Sequence, residues 1–274
     1  MRQKFTLLIA ALFVASIYSA CKKEVTPHKN QSVSSVSEAA LGRQMATGLY
    51  QSFLAQFNSS NQKTNGLKTA SASGCGVSVV TPASNTVVSG DTTRKFTGTS
   101  VYTPFCIIDP RYVDSYTLYD TLKTVETGPG FSNSYSSTHS FSVKGISGLL
   151  ITTGTVTAAN HLGKLNEQGI TIEYHDIATQ YKMDSLLIYP FATGNKFLLG
   201  QINFTTQTVD LDATTDRDGA FSGYSGYIYY FKNTARIYFK HPSSYGYVRY
   251  ILNFDTGVMS GPVNSVGFPV DYSE

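Results

Sequence analysis

From Val77 onward the chain is a succession of short β-branched and aromatic runs, each closed by Gly, Pro, Asn or Asp. That punctuation limits the fold more than any other feature, because Val, Ile, Thr, Tyr and Phe in runs of this length suit a half-buried pleated surface. It places strands at 77–80, 96–102, 112–125, 140–144, 149–157, 170–175, 185–189, 197–204, 226–231, 235–240 and 247–254. The connections are too short for crossover helices, so sequential strands should pair antiparallel. The expected architecture is therefore mostly β: an antiparallel meander forming a barrel, half-barrel or sandwich, with the barrel forms preferred. Two small β-domains meeting near residue 160 are the remaining arrangement. Alternation is clearest at 235–240, where Ala235, Ile237 and Phe239 share one face and Arg236, Tyr238 and Lys240 the other.

One segment breaks the β pattern. Ser35 and Glu38 have capping-box spacing, and Leu41, Met45, Leu49, Phe53 and Phe57 follow four residues apart. This predicts an N-terminal amphipathic helix over 36–57, packed on the sheet or across one barrel end. Residues 58–74 carry almost no large apolar side chain and read as a linker. The β-rich domain then occupies 75–274.

The first twenty residues have a separate logic. Arg2 and Lys4 make a basic tip, an apolar run extends from Phe5 to Ile17, and Tyr18-Ser19-Ala20 lead into Cys21. The run is too short to span a bilayer with polar flanks, so it reads as a secretion signal. Ordinary signal cleavage after Ala20 would put bulky Tyr18 where a small residue is wanted. The segment instead resembles the signal of bacterial lipoproteins, and the Cys-Lys-Lys-Glu start at 21–24 is similar to that of Bacteroidota-type envelope lipoproteins. The resemblance implies that 1–20 are removed and that Cys21 is diacylated, with 21–35 as a tether. Because Asp is absent just after the cysteine, it also implies an outer-membrane address, facing either the periplasm or the surface. Two acyl chains supply the two signals that stable anchoring needs.

Without Arg2 and Lys4, 19 of the 21 basic residues remain, which nearly balance the 18 acidic ones. No basic stripe stands out, so a nucleic-acid partner is not expected. Besides Cys21 there are only Cys75 and Cys106. In an oxidising compartment they can form one disulfide, which by chain entropy is worth roughly 3–4 kcal/mol. Two buried thiols are the alternative.

Motifs for chemistry are few. Asp210, Asp212, Asp216, Asp218 and Gly219 space oxygen ligands as a calcium loop does, but Ser225 stands where an EF-hand needs its Glu. An Asp-rich hairpin turn is the plainer account, with a weak calcium site as the alternative. Glu173 and His175 would share a strand face, with Asp176 and Asp184 near in sequence, as an acid–base or zinc pair could. An exposed polar face is the plainer account. His139, His161 and His241 lie scattered in loop-like sequence. Gly223-Tyr224-Ser225-Gly226 fails the Gly-x-Ser-x-Gly spacing, and no glycine-rich phosphate or dinucleotide loop occurs. No catalytic residue, metal ligand or cofactor is nominated.

The chain has 19 Tyr and no Trp, and Tyr224, Tyr227, Tyr229, Tyr230, Tyr245, Tyr247 and Tyr250 crowd its last third. A flat apolar ring with a polar tip suits sugars and protein interfaces. Strand periodicity puts Tyr227 and Tyr229 on one face with Tyr230 opposite, which marks the first two as a possible recognition surface. The functional expectation is a non-enzymatic envelope lipoprotein that is held at the membrane by its lipid and binds a protein or glycan. A periplasmic or surface hydrolase and a purely structural or assembly protein are the rival classes.

Overall fold

The computed structural model describes residues 37–64, 74–106, 113–146, 149–190, 196–212, 217–240 and 246–265. The strand pattern becomes one 11-stranded sheet whose strands lie side by side in chain order. These are β1 (Val79–Ser89), β2 (Thr92–Phe105), β3 (Ser115–Gly128), β4 (Phe131–Ile146), β5 (Leu149–Leu165) and β6 (Thr171–Pro190). They continue as β7 (Lys196–Asp212), β8 (Arg217–Lys232), β9 (Thr234–Lys240), β10 (Tyr247–Asn253) and β11 (Met259–Ser265). Every neighbouring pair is antiparallel. The sheet is not closed, which sets aside both a closed barrel and a two-sheet sandwich. Nor is there a boundary near residue 160, because Asn160 lies inside β5, paired with Ile177 of β6.

Most strands outrun their sequence-predicted lengths, for a common reason. In β6, Ile177, Tyr181 and Met183 are buried while Asp176, Gln180 and Lys182 face the other way. The polar residues that looked like a break between 175 and 185 are simply the solvent side of one 20-residue strand. β11 was not foreseen, since Gly261 and Pro262 lie within it. Proline is tolerated there because β11 is an edge.

The helix, α1 (Glu38–Thr64), runs seven residues past position 57, so the first part of the expected linker is helical. Its N-cap is Ser37, whose hydroxyl accepts the Ala40 amide at 3.2 Å; Ser35 lies outside the described residues. Leu41, Met45, Leu49 and Phe53 are all buried against the sheet, each contributing about 1.5–3 kcal/mol of apolar burial. They join Ile202, Phe204, Ile228, Tyr230, Ile237, Phe239 and Leu252 in one core. The approach is closest at Gly42, where any side chain would press on the sheet. A Cβ on Gly42 would stand 3.1 Å from the Phe239 ring and 3.3 Å from Ile237. A second glycine, Gly200, with φ 138°, pairs Leu186 just beyond the register shift between Met183 and Ser185. Among the described residues no helix is long and apolar enough to cross a membrane.

Candidate functional site

The face opposite α1 is built from the polar half of each strand. Across β4 to β7 the registers align Thr138, Thr157, Gln180 and Thr205 in one row, and Ser136, Ala159, Ala178 and Gln207 in the next. Ala159 and Ala178 are direct cross-strand partners, and two methyls cannot fill the height that their neighbours reach. The result is a depression of about 300 Å³, at the lower end of the size of small-molecule sites. Its side-chain lining is hydroxyl, carboxamide and methyl, with no ionisable group. Hydroxyls and carboxamides both donate and accept, so the lining suits a neutral, hydrogen-bonding ligand.

The next row on this face carries Lys182, Asn203, Tyr227, Tyr238 and Arg249. The aromatic wall of β8 to β10 therefore stands on the same side of the sheet as the depression. Tyr227 and Tyr238 stack at 4.5 Å with 19° between their planes, and Tyr247 meets Tyr227 edge-on at 5.3 Å. The cluster is self-covering, with Tyr227 8% exposed and Tyr238 1%. Burial, reinforced by Tyr238 and Tyr247, pushes the Tyr227 hydroxyl well above the ordinary phenol range. That hydroxyl is enclosed without a hydrogen-bond partner among the described residues. Tyr229, opposite Gln201 and Arg236, is only half-buried. Of the two tyrosines marked as a recognition surface, Tyr229 is thus the accessible one. Tyr230 faces the core, and Tyr245 lies outside the described residues.

The structure also pairs residues that looked scattered. His161 lies in β5, not a loop, and binds Asp176 of β6 on the outer face at 2.5 Å. His175 binds Asp210 of β7 on the inner face. Glu173, two residues away, takes Lys164 at 2.8 Å instead, and Asp184 takes Lys182 at 3.3 Å. The Nε2 atom of His175 is buried and makes no hydrogen bond among the described residues. Among the described residues, no hydroxyl therefore hydrogen-bonds the histidine where a Ser–His–Asp nucleophile would stand. Within the acidic segment, Asp210 is committed to His175, and Asp216 lies outside the described residues. Among the described residues no group of three or more His, Cys, Asp or Glu could hold a metal ion.

On the inner face, a narrower cleft of about 100 Å³ opens between α1 and β4 to β6, lined by Met45, Leu49, His139, Val156, Ile177 and Tyr181. His139 is buried in β4 with its ring stacked 5.6 Å from Phe141. Desolvation lowers its pKa to about 4, so the ring is neutral at pH 7. Cys75 and Cys106 are disulfide-bonded with a Cα–Cα distance of 5.6 Å, joining the segment before β1 to the end of β2. Cys21 lies outside the described residues.

Sequence reasoning missed the depression because Ser136, Thr138, Ala159, Ala178, Gln180, Thr205 and Gln207 resemble loop composition. The available signal was their strict alternation with inward residues such as Val156, Ile177, Tyr181 and Phe204. In comparisons with known proteins, no family model matches the chain, and neither a curated protein nor a solved structure matches it.

Proposed function

We propose that this is an exported, lipid-anchored binding protein of the outer membrane whose ligand is a neutral polyhydroxylated molecule of the glycan class. The observation that carries the reading is the uncharged depression of hydroxyl and carboxamide groups on the outer face, flanked by the tyrosine wall of β8 to β10. A polyhydroxylated ligand offers many donors and acceptors without charge, which is the complement of that floor. Tyr229 supplies an accessible ring for stacking against the apolar face of a sugar. The anchor at Cys21 holds the domain at the membrane, and the segment up to residue 35 gives it reach. The reading favours binding over hydrolysis because the Nε2 of the His175–Asp210 pair meets no hydrogen-bonded hydroxyl among the described residues.

Screening the full-length protein in detergent against an array of neutral and charged glycans tests this. Binding of neutral oligosaccharides is expected. Ala159→Trp, which fills the depression, should weaken it at least about tenfold, and Tyr229→Ala should cost roughly 1–2 kcal/mol. Absence of glycan binding, or binding that Ala159→Trp leaves intact, would overturn the assignment.

A further inference from the structure

We propose that β1 is a self-pairing edge, on which a second copy of this chain lays its own β1 antiparallel and so joins two open sheets into one. The strand is 11 residues long, carries no charged side chain, and is exposed along nearly its whole length. Among the described residues its outer edge has no partner, since β1 ends the strand order. Exposed edges of this kind are usually blunted by charges, by brevity, by proline or by a bulge, and of these β1 carries only the single Pro82. Here β1 pairs β2 across its entire length without a register shift, and the Cys75–Cys106 bridge clamps the same end of the hairpin. Only Pro82 interrupts the row of donors, and an edge strand accommodates it.

The identity of the occupant follows from the distribution of valines. Val79 and Val80 stand at one end of β1 and Val87 and Val88 at the other, and they are 38%, 60%, 50% and 68% exposed. A two-fold axis perpendicular to the sheet keeps each face on its own side, so residues of the same parity must oppose each other. Pairing centred on Ser84 sets Val80 against Val88 of the second copy, twice per dimer. Pairing centred on Ala83 sets Val79 against Val87, also twice. Of the three registers centred on Ala83, Ser84 or Asn85, the first two bring valine onto valine, and β-branched cross-strand pairs are favourable. The other edge offers no equivalent: β11 is 7 residues long and shifts register against β10. One strand pair buries less than a standard interface, so the association should lie in the micromolar range.

Sedimentation equilibrium of the full-length protein in density-matched detergent, up to roughly 100 μM, reads the oligomer directly. Two chains per particle are expected at the top of the range. Val80→Lys with Val88→Lys, or Val79→Lys with Val87→Lys, should shift the equilibrium toward single chains at least about tenfold by opposing like charges. Circular dichroism and the intact disulfide check that these exposed substitutions leave the fold alone. Lys and Glu at the two positions of the true register, Val80→Lys with Val88→Glu or Val79→Lys with Val87→Glu, should restore pairing and thereby identify the axis. A single-chain particle at every concentration overturns the proposal. So does a dimer indifferent to all four double variants, or one that neither Lys–Glu pair restores.

Discussion

The hydroxyl of Tyr230 in β8 donates to the backbone carbonyl of Ala46 in α1 at 2.9 Å, inside the core. Three residues earlier in the same strand, the Tyr227 hydroxyl is also enclosed but has no partner among the described residues. A buried hydroxyl is stabilising only when its hydrogen bond is made. Phenylalanine should therefore act with opposite sign at the two positions. Tyr230→Phe should lower stability by about 1–2 kcal/mol, whereas Tyr227→Phe should be neutral or stabilising by up to about 1 kcal/mol. Urea unfolding of the disulfide-intact proteins measures both, and equal losses would contradict the assignment.

Acid should weaken the fold through His139. Its folded pKa, about 4, lies below the unfolded value of 6.5. Between these values the unfolded chain binds the extra proton, so stability is full above about pH 6.5 and falls as the pH drops toward 4. The loss from this group is roughly 3 kcal/mol by the bottom of that window. His139→Phe, beside Phe141, removes the titrating group and should flatten the profile there. A variant with the wild-type acid slope would show that the sensitivity resides in another group.

Reducing the Cys75–Cys106 bridge should cost roughly 3 kcal/mol by the chain-entropy account, because its loop closes residues 31 apart in sequence. The effect should appear as a lower unfolding midpoint for Cys75→Ser/Cys106→Ser, with a steeper slope in denaturant because the unlinked unfolded chain exposes more surface. Peptide mapping without reductant should recover the linked pair. The edge strand β1 should feel the loss first, visible as faster amide exchange at Val79 to Ser89 than in β6.

The anchor is tested independently of the fold. Cys21→Ser should abolish incorporation of a fatty-acid probe and release the exported protein from the membrane fraction. Unchanged labelling and fractionation would remove the lipoprotein assignment while leaving the sheet, its depression and its edge untouched.

Local chemistry in the sequence determined that this chain makes antiparallel β-structure with one amphipathic helix before it. Leu41, Met45, Leu49 and Phe53 recur at the helical period, and Ala235, Ile237 and Phe239 at the strand period. Each pattern reports the one face its element must bury. The Cys75–Cys106 disulfide was one of two readings the sequence allowed, the other being a pair of buried thiols, and the structure has the bridge. Strand ends were not legible where Ser, Thr, Gln and Asn fill the solvent face, as between 175 and 185, since the same residues serve turns equally well. Tertiary structure decided the rest. Register across β4 to β7 set Ala159 beside Ala178 and lined them with hydroxyls from four strands, a juxtaposition that no single segment encodes. It likewise brought His175 to Asp210 and His161 to Asp176. Closure is equally non-local: whether the first and last strands of a meander meet depends on the accumulated coil of the whole sheet. Here the sheet stays open, and among the described residues β1 has a strand partner on one side only.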